Sequence, residues 1–235
     1  MTTLLELPRE LRDKILSFVI STPATPPANH SVTHDRTELY NVDYHSWETN
    51  SKIKYLPKLN RTDLIPTLLV NRQLHSETIA AIKILPSKHT YILDVMLVNL
   101  EELWPTWLSI PSLTYSVDRV HAIFRIDGTS GTGSRRSRFR CGDGSPPQIS
   151  WAFYGLLGRF LKVGPVLNPS KKPTGGMFIK NLDLEVQTTD ISADPAPSQQ
   201  GYRLNPYVDA DYLAGFLQTY IRILLEMSYH TASFG

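Results

Sequence analysis

The chain has 235 residues, 41% of them hydrophobic and 20% charged, with a formal net charge of +2 and a pI near 8.6. That is enough apolar content for one sizeable core, or for one core with a helical appendage, and the mild positive balance argues against a whole-surface nucleic-acid binder. One cysteine, Cys141, excludes an internal disulfide framework and any multi-cysteine zinc site, no run of eighteen apolar residues is present, and Glu6, Arg9 and Glu10 interrupt the N-terminal leucines where a secretory signal would need a clean apolar core.

In chain order, the first expected element is a helix from about Pro8 to Ile20. Proline suits a first helical turn, because its missing N–H has no partner to lose there. Leu7, Leu11, Ile15 and Phe18/Val19 recur at helical spacing, with Arg9, Glu10, Arg12, Asp13 and Lys14 mostly elsewhere. Pro23, Pro26 and Pro27 end it. The segment from about 21 to 63 is polar with scattered Tyr40, Tyr44, Trp47 and Tyr55, and reads as a long, partly ordered loop. A second helix is expected from near Pro66 to Leu85, with Val70, Leu74, Ala81 and Leu85 in one stripe.

Tyr91 to Val98 reads as a buried strand, and Asn99 as the cap of a short helix through Glu101, Glu102, Leu103 and Trp104. Val117 to Asp127 alternates: Val120, Ala122, Phe124 and Ile126 face one way, and Arg119, His121, Ile123 and Arg125 the other. Ser150 to Val163 reads as a helix with Trp151, Tyr154, Leu157/Gly158 and Leu161 along one side. In a further strand, Phe178, Leu182, Leu184 and Val186 alternate with Ile179, Asn181, Asp183 and Glu185, and Lys180 breaks the apolar face. A final helix spans Asp209 to Met227, with Leu213, Phe216/Leu217, Tyr220 and Leu224 buried. No internal repeat is present. Helices followed by mixed strands and helices imply an α+β fold, with a small mixed or antiparallel sheet packed against helices. The expected division is a helical region over 1–88 and an α+β body over 89–235, the body carrying a mobile Gly/Arg-rich insertion at about 128–148.

The run Leu4-Leu5-Glu6-Leu7-Pro8-Arg9-Glu10-Leu11-Arg12-Asp13-Lys14-Ile15-Leu16 resembles the opening helix of an F-box, the module by which ubiquitin-ligase receptors dock on a Skp-type adaptor. Leu68-Leu69-Val70-Asn71-Arg72-Gln73-Leu74-His75-Ser76-Glu77-Thr78 is similar to a helix of a large group of fungal F-box-like proteins of uncharacterised activity. Leu103-Trp104-Pro105-Thr106-Trp107-Leu108, Val117-Asp118-Arg119-Val120 and Arg159-Phe160-Leu161-Lys162-Val163-Gly164-Pro165 also resemble that group. The resemblance implies that Leu7, Pro8, Leu11, Ile15 and Leu16 dock a Skp-type adaptor, with the second helix supporting them through Leu69, Val70 and Leu74, and that the body recruits an unknown protein substrate.

Other constellations carry less. The glycines from Gly128 to Gly133 lack the Gly-Lys-Ser/Thr ending of a phosphate loop and the spacing of a dinucleotide fingerprint. Arg135, Arg136, Arg138 and Arg140 could contact phosphates or an acidic partner, but equally suit a solvated insertion. His30, His34, Asp43 and His45 lie in a polar stretch with nothing to orient them, so no metal site is expected. Cys141 sits among glycines without a base partner, and no Gly-x-Ser-x-Gly elbow occurs. Arg119 and His121 would pair with Asp183 and Glu185 if their strands were adjacent. Trp104, Trp107, Trp151, Phe153 and Tyr154 read as core rather than as the lining of a pocket.

The expectation is therefore an intracellular protein, cytoplasmic and/or nuclear, with no membrane, cofactor or catalysis. It would work as a protein-interaction module of the F-box adaptor kind, nucleic acid being a disfavoured partner. The alternatives are a self-contained scaffold whose first helix packs inward, and a binder of RNA or an acidic partner through the arginine cluster.

Overall fold

The computed structural model describes residues 3–32, 35–39, 52–56, 71–86, 89–99, 102–112, 114–127, 148–165, 176–187 and 210–226. They form α1 (Arg9–Ser21), β1 (Thr37–Glu38), β2 (Lys54–Tyr55), α2 (Arg72–Ile84), β3 (Thr90–Val98), β4 (Glu102–Ser109), β5 (Ser116–Asp127), α3 (Gln148–Val163), β6 (Phe178–Gln187) and α4 (Ala210–Glu226). Four strands make a mixed sheet in the order β4-β3-β5-β6, with β4 antiparallel to β3 and the other two contacts parallel. β1 and β2 form an antiparallel ribbon, and Ile53 bridges it to Leu103 on β4. This is an α+β arrangement, as the order of elements suggested.

One face of the sheet carries the main core. Leu93, Val95 and Leu97 of β3 join Val120, Ala122, Phe124 and Ile126 of β5, as the alternation on β5 predicts. Against them lies α3, which is buried nearly all round rather than along one side: Ile149, Ala152, Phe153, Leu156 and Phe160 join Tyr154, Leu157 and Leu161 in the core. A helix apolar on every side belongs inside a domain. Its end is set by Gly164, whose φ of +80° is a left-handed conformation that a side chain would strain. On α4, Phe216, Leu217 and Ile221 are buried and Tyr220 packs at the margin.

Three sequence expectations are corrected here. Glu102–Ser109 is a strand, not the end of a short helix. Asn99 does not cap a helix; it takes φ 53° in the turn between β3 and β4, a conformation that asparagine tolerates better than most residues. Pro105 fits because β4 is the edge of the four-stranded sheet and its carbonyl faces Arg36 rather than β3. On β6, Phe178 does not share the inward side with Leu182, Leu184 and Val186; it is exposed. Lys180 and Asn181 both point out, in step with Asp118 and Arg119 of β5, and Val117 and Ile179 return to the core side. The change of parity is shared by both strands, so Lys180 can reach Asp118 at 2.5 Å.

The region expected as a loop is partly built into the body. Leu39, Ile53 and Tyr55 belong to the main core. The residues from Ala24 to Glu38 that are described run over the sheet face opposite α3, where Met96, Val98 and Trp104 form a second cluster. The Ala24 amide donates to the Leu108 carbonyl at 2.8 Å, and Arg125 donates to the Pro27 carbonyl at 2.8 Å.

α2 begins at Arg72, later than the expected Pro66, and the Asn71 side chain caps it by accepting from the Leu74 amide at 2.8 Å. It packs on α1 through a small cluster of Leu16, Ile20, Ala81 and Leu85. Arg12, Leu16 and Ile20 on α1 match Glu77, Ala81 and Leu85 on α2 in four-residue steps. Antiparallel helices meeting at Arg12 and Glu77 would carry Ile20 and Leu85 about 12 Å to opposite sides of that contact. Their shared cluster makes the helices parallel. Both then lead toward the same corner of the sheet, where Ile92 and Ser109 are register partners. Among the described residues, no helix is long and apolar enough to cross a membrane.

Candidate functional site

α1 has two apolar sides. Leu16 and Ile20 face α2 and are 2% and 4% exposed. Leu11, Ile15 and Phe18, one to two positions back in each turn, face outward at 46%, 39% and 70% exposure. Adjacent residues on a helix are about 100° apart, so the two rows run side by side along the same cylinder. Leu5, in the 3-10 turn Leu4–Glu6, is also exposed, Pro8 is exposed, and Leu7 is half-buried. Of the five residues expected to meet a partner, Leu7, Pro8, Leu11 and Ile15 reach the surface and Leu16 does not. Leu16 is corrected to a core residue, because its position is in phase with Arg12 and Ile20 on the side that α2 covers. Phe18 has the spacing of the outward row and belongs with it.

The inward side is fixed by an ion pair. Arg12 Nε and Nη2 donate to the two Glu77 carboxylate oxygens at 2.9 and 2.6 Å, and both side chains are about one-tenth exposed. Gln73 adds a bond to Glu77 at 3.1 Å. The Arg12 bond, then the Gln73 bond, hold the Glu77 carboxyl down at about 2, against the opposing effect of burial. Arg12 Nη1 also donates to the carbonyls of Leu7 at 2.5 Å and Leu5 at 3.3 Å. Nothing in local spacing announces this pair, since its members are 65 positions apart. Of the residues expected to support the ridge from α2, Leu74 is buried, while Leu69 and Val70 lie outside the described residues.

A second polar group lies on the sheet face covered by the Ala24–Glu38 segment. Asp94 is 1% exposed and accepts from Arg125 Nε and Nη2 at 2.5 and 2.8 Å. Arg36 donates to the carbonyls of Lys54 and Pro105 and to Thr106 Oγ1, and its guanidinium stands 5.0 Å from the Trp104 ring. Burial pushes the Arg36 guanidinium down to about 10. His30 meets Asp127 twice, through its amide and through Nδ1 at 3.0 Å. The bonds of Arg36, Arg125 and His30 run between the segment and the sheet and fasten one to the other, while Arg36 Nε is buried without a hydrogen-bond partner among the described residues.

The remaining candidates separate cleanly. Strands β5 and β6 are neighbours, and Arg119 pairs with Asp183 at 3.2 Å and His121 with Glu185 at 2.8 Å on the exposed face. Trp107, Phe153 and Tyr154 are core, whereas Trp104 sits across the sheet with Met96 and Val98, so the five aromatic residues line no common pocket. Among the described residues, no group of three histidine, cysteine or acidic side chains could hold a metal ion. His34, Asp43, His45, Arg135, Arg136, Arg138, Arg140 and Cys141 lie outside the described residues.

No protein-family model, no curated protein and no solved structure matches this chain.

Proposed function

We propose that the chain is a non-catalytic protein-recognition module of the F-box-like kind, in which α1 docks a Skp-type adaptor of a ubiquitin ligase and the sheet body recruits a protein substrate inside the cell. The observation that carries this reading is the outward row Leu11, Ile15 and Phe18, on a helix whose neighbouring side is already occupied by α2. A helix fixed on one side and uncovered on the other, among the described residues, has an apolar surface to offer without unfolding. The docking residues are then Leu7, Pro8, Leu11 and Ile15, extended by Leu5 and Phe18. Complete burial of a fully exposed large side chain is worth about 1.5–3 kcal/mol before the costs of association, and the part-exposed Leu11 and Ile15 each contribute a fraction of that.

The second reading is a self-contained scaffold without adaptor docking. It draws support from Leu16 and Ile20, which spend part of the apolar helix on internal packing. Co-purification separates the two. The chain should retain a Skp-type adaptor through washing, and Leu11→Asp should lose it while keeping the thermal unfolding midpoint. An adaptor that never co-purifies, or a Leu11→Asp variant that unfolds, would sink the docking proposal.

A further inference from the structure

The Arg12 guanidinium joins three segments. One edge grips Glu77 on α2, and Nη1, on the other edge, takes the carbonyls of Leu5 and Leu7, in and after the Leu4–Glu6 turn. The turn has bonds of its own: Thr3 amide to Glu6 Oε2 at 3.0 Å, Glu6 amide to Thr3 carbonyl at 3.1 Å, and Leu7 amide to Leu4 carbonyl at 3.3 Å. Those bonds are internal and set the turn's shape. The Arg12 bonds set its placement, because they alone among these contacts tie it to the helices. A guanidinium can do this because its planar fork presents five donors on more than one edge at once; an ammonium is a point charge with three.

We propose that Arg12 is the positioning residue of the docking ridge: it pins the Leu4–Leu7 segment to α1 and α2, so that Leu5 and Leu7 continue the surface begun by Leu11, Ile15 and Phe18. The inference rests on the adaptor reading given above. Its physical content is preorganisation, since a turn already in place loses less freedom on binding.

The test replaces the ion pair by apolar side chains. Arg12→Met with Glu77→Leu keeps a filled contact between the helices, a change that buried ion pairs often tolerate, and removes every donor to the two carbonyls. In this double variant the unfolding midpoint should stay near that of the unsubstituted chain. Backbone order parameters at Leu5, Glu6 and Leu7, measured by NMR relaxation, should fall from about 0.85 to below about 0.6. Affinity for a purified Skp-type adaptor should weaken about tenfold, the equivalent of one charge-assisted hydrogen bond. Should the double variant fail to fold, Arg12→Lys keeps the cation beside Glu77, lacks the fork, and is read in the same two ways. An unchanged order parameter at Leu5–Leu7, or an unchanged affinity with a loosened turn, overturns the inference. If the unsubstituted chain does not bind the adaptor, the functional reading is what fails; the order parameters then decide alone whether Arg12 places the turn.

Discussion

Tyr91, Phe124 and Phe153 are fully enclosed between the sheet and α3, whereas the α1–α2 pair rests on four buried apolar side chains and one ion pair. The body encloses most of its large apolar side chains, with Tyr115 and Phe178 exposed at one end of β5 and β6; the pair leaves the row Leu11, Ile15 and Phe18 outside along a single helix. Elements that bury little are the first to open and the natural place for a binding surface, while a fully enclosed core serves as a rigid mount. The difference also separates two kinds of ion pair. Asp94–Arg125 holds a covering segment on the body, and Arg12–Glu77 holds one helix on another.

The contrast can be broken most forcefully in the body. Phe153→Ala should cost about 3–5 kcal/mol in denaturant unfolding, since the ring sits 4.9 Å from that of Phe124 with no room to be replaced. Asp94→Ala should cost a similar 3–5 kcal/mol or so by leaving Arg125 without its carboxylate, and should loosen the segment around Pro27, seen as faster amide exchange there. Leu16→Ala should cost roughly 2–3 kcal/mol but act on the helical pair, so that α1 amides exchange faster while those of β3 and β5 do not. A loss of protection in β3 would show that the two regions unfold as one.

Acid sharpens the same comparison. The Glu77 carboxyl is lowered from 4.5 to about 2 in the folded chain, first by Arg12 and then by Gln73. A depressed carboxyl contributes its stability above the unfolded value and loses it as pH falls toward the folded value. The α1–α2 contact should therefore weaken progressively from about pH 4.5 to about pH 2, and Glu77→Gln should flatten that dependence, followed by α1 amide exchange across the range. The smallest stability effect belongs to Leu11→Asp, expected within about 0.5 kcal/mol because the side chain is 46% exposed.

How far the chain could be read in advance depended on the range of the signal. The alternation on β5 and the four-residue steps on α1 are local patterns, and both gave the right elements. Asn99 misled, because the same residue suits a helix cap or a left-handed turn; only the partner strand β3 distinguishes them. The parity change at Lys180 needed the matching change at Asp118–Arg119. The outward row on α1 was visible as spacing, but its division from the Leu16 side was not, since that depends on which side Glu77 and Ala81 cover. Arg36, Asp94 and Arg125 were invisible as a group, their partners being 18 to 98 positions distant.

The Arg12–Glu77 pair has a consequence for synthesis on the ribosome. Its carboxylate follows its guanidinium by 65 residues, and the Asp127 that fastens His30 follows by 97. At about 5–20 residues per second, α1 waits roughly 3–13 seconds before the chain that covers Leu16 and Ile20 has been made. During that interval Leu16 and Ile20 lack the cover that Ala81 and Leu85 later give them, so the first helix cannot take its final packing until more than a third of the chain has been made.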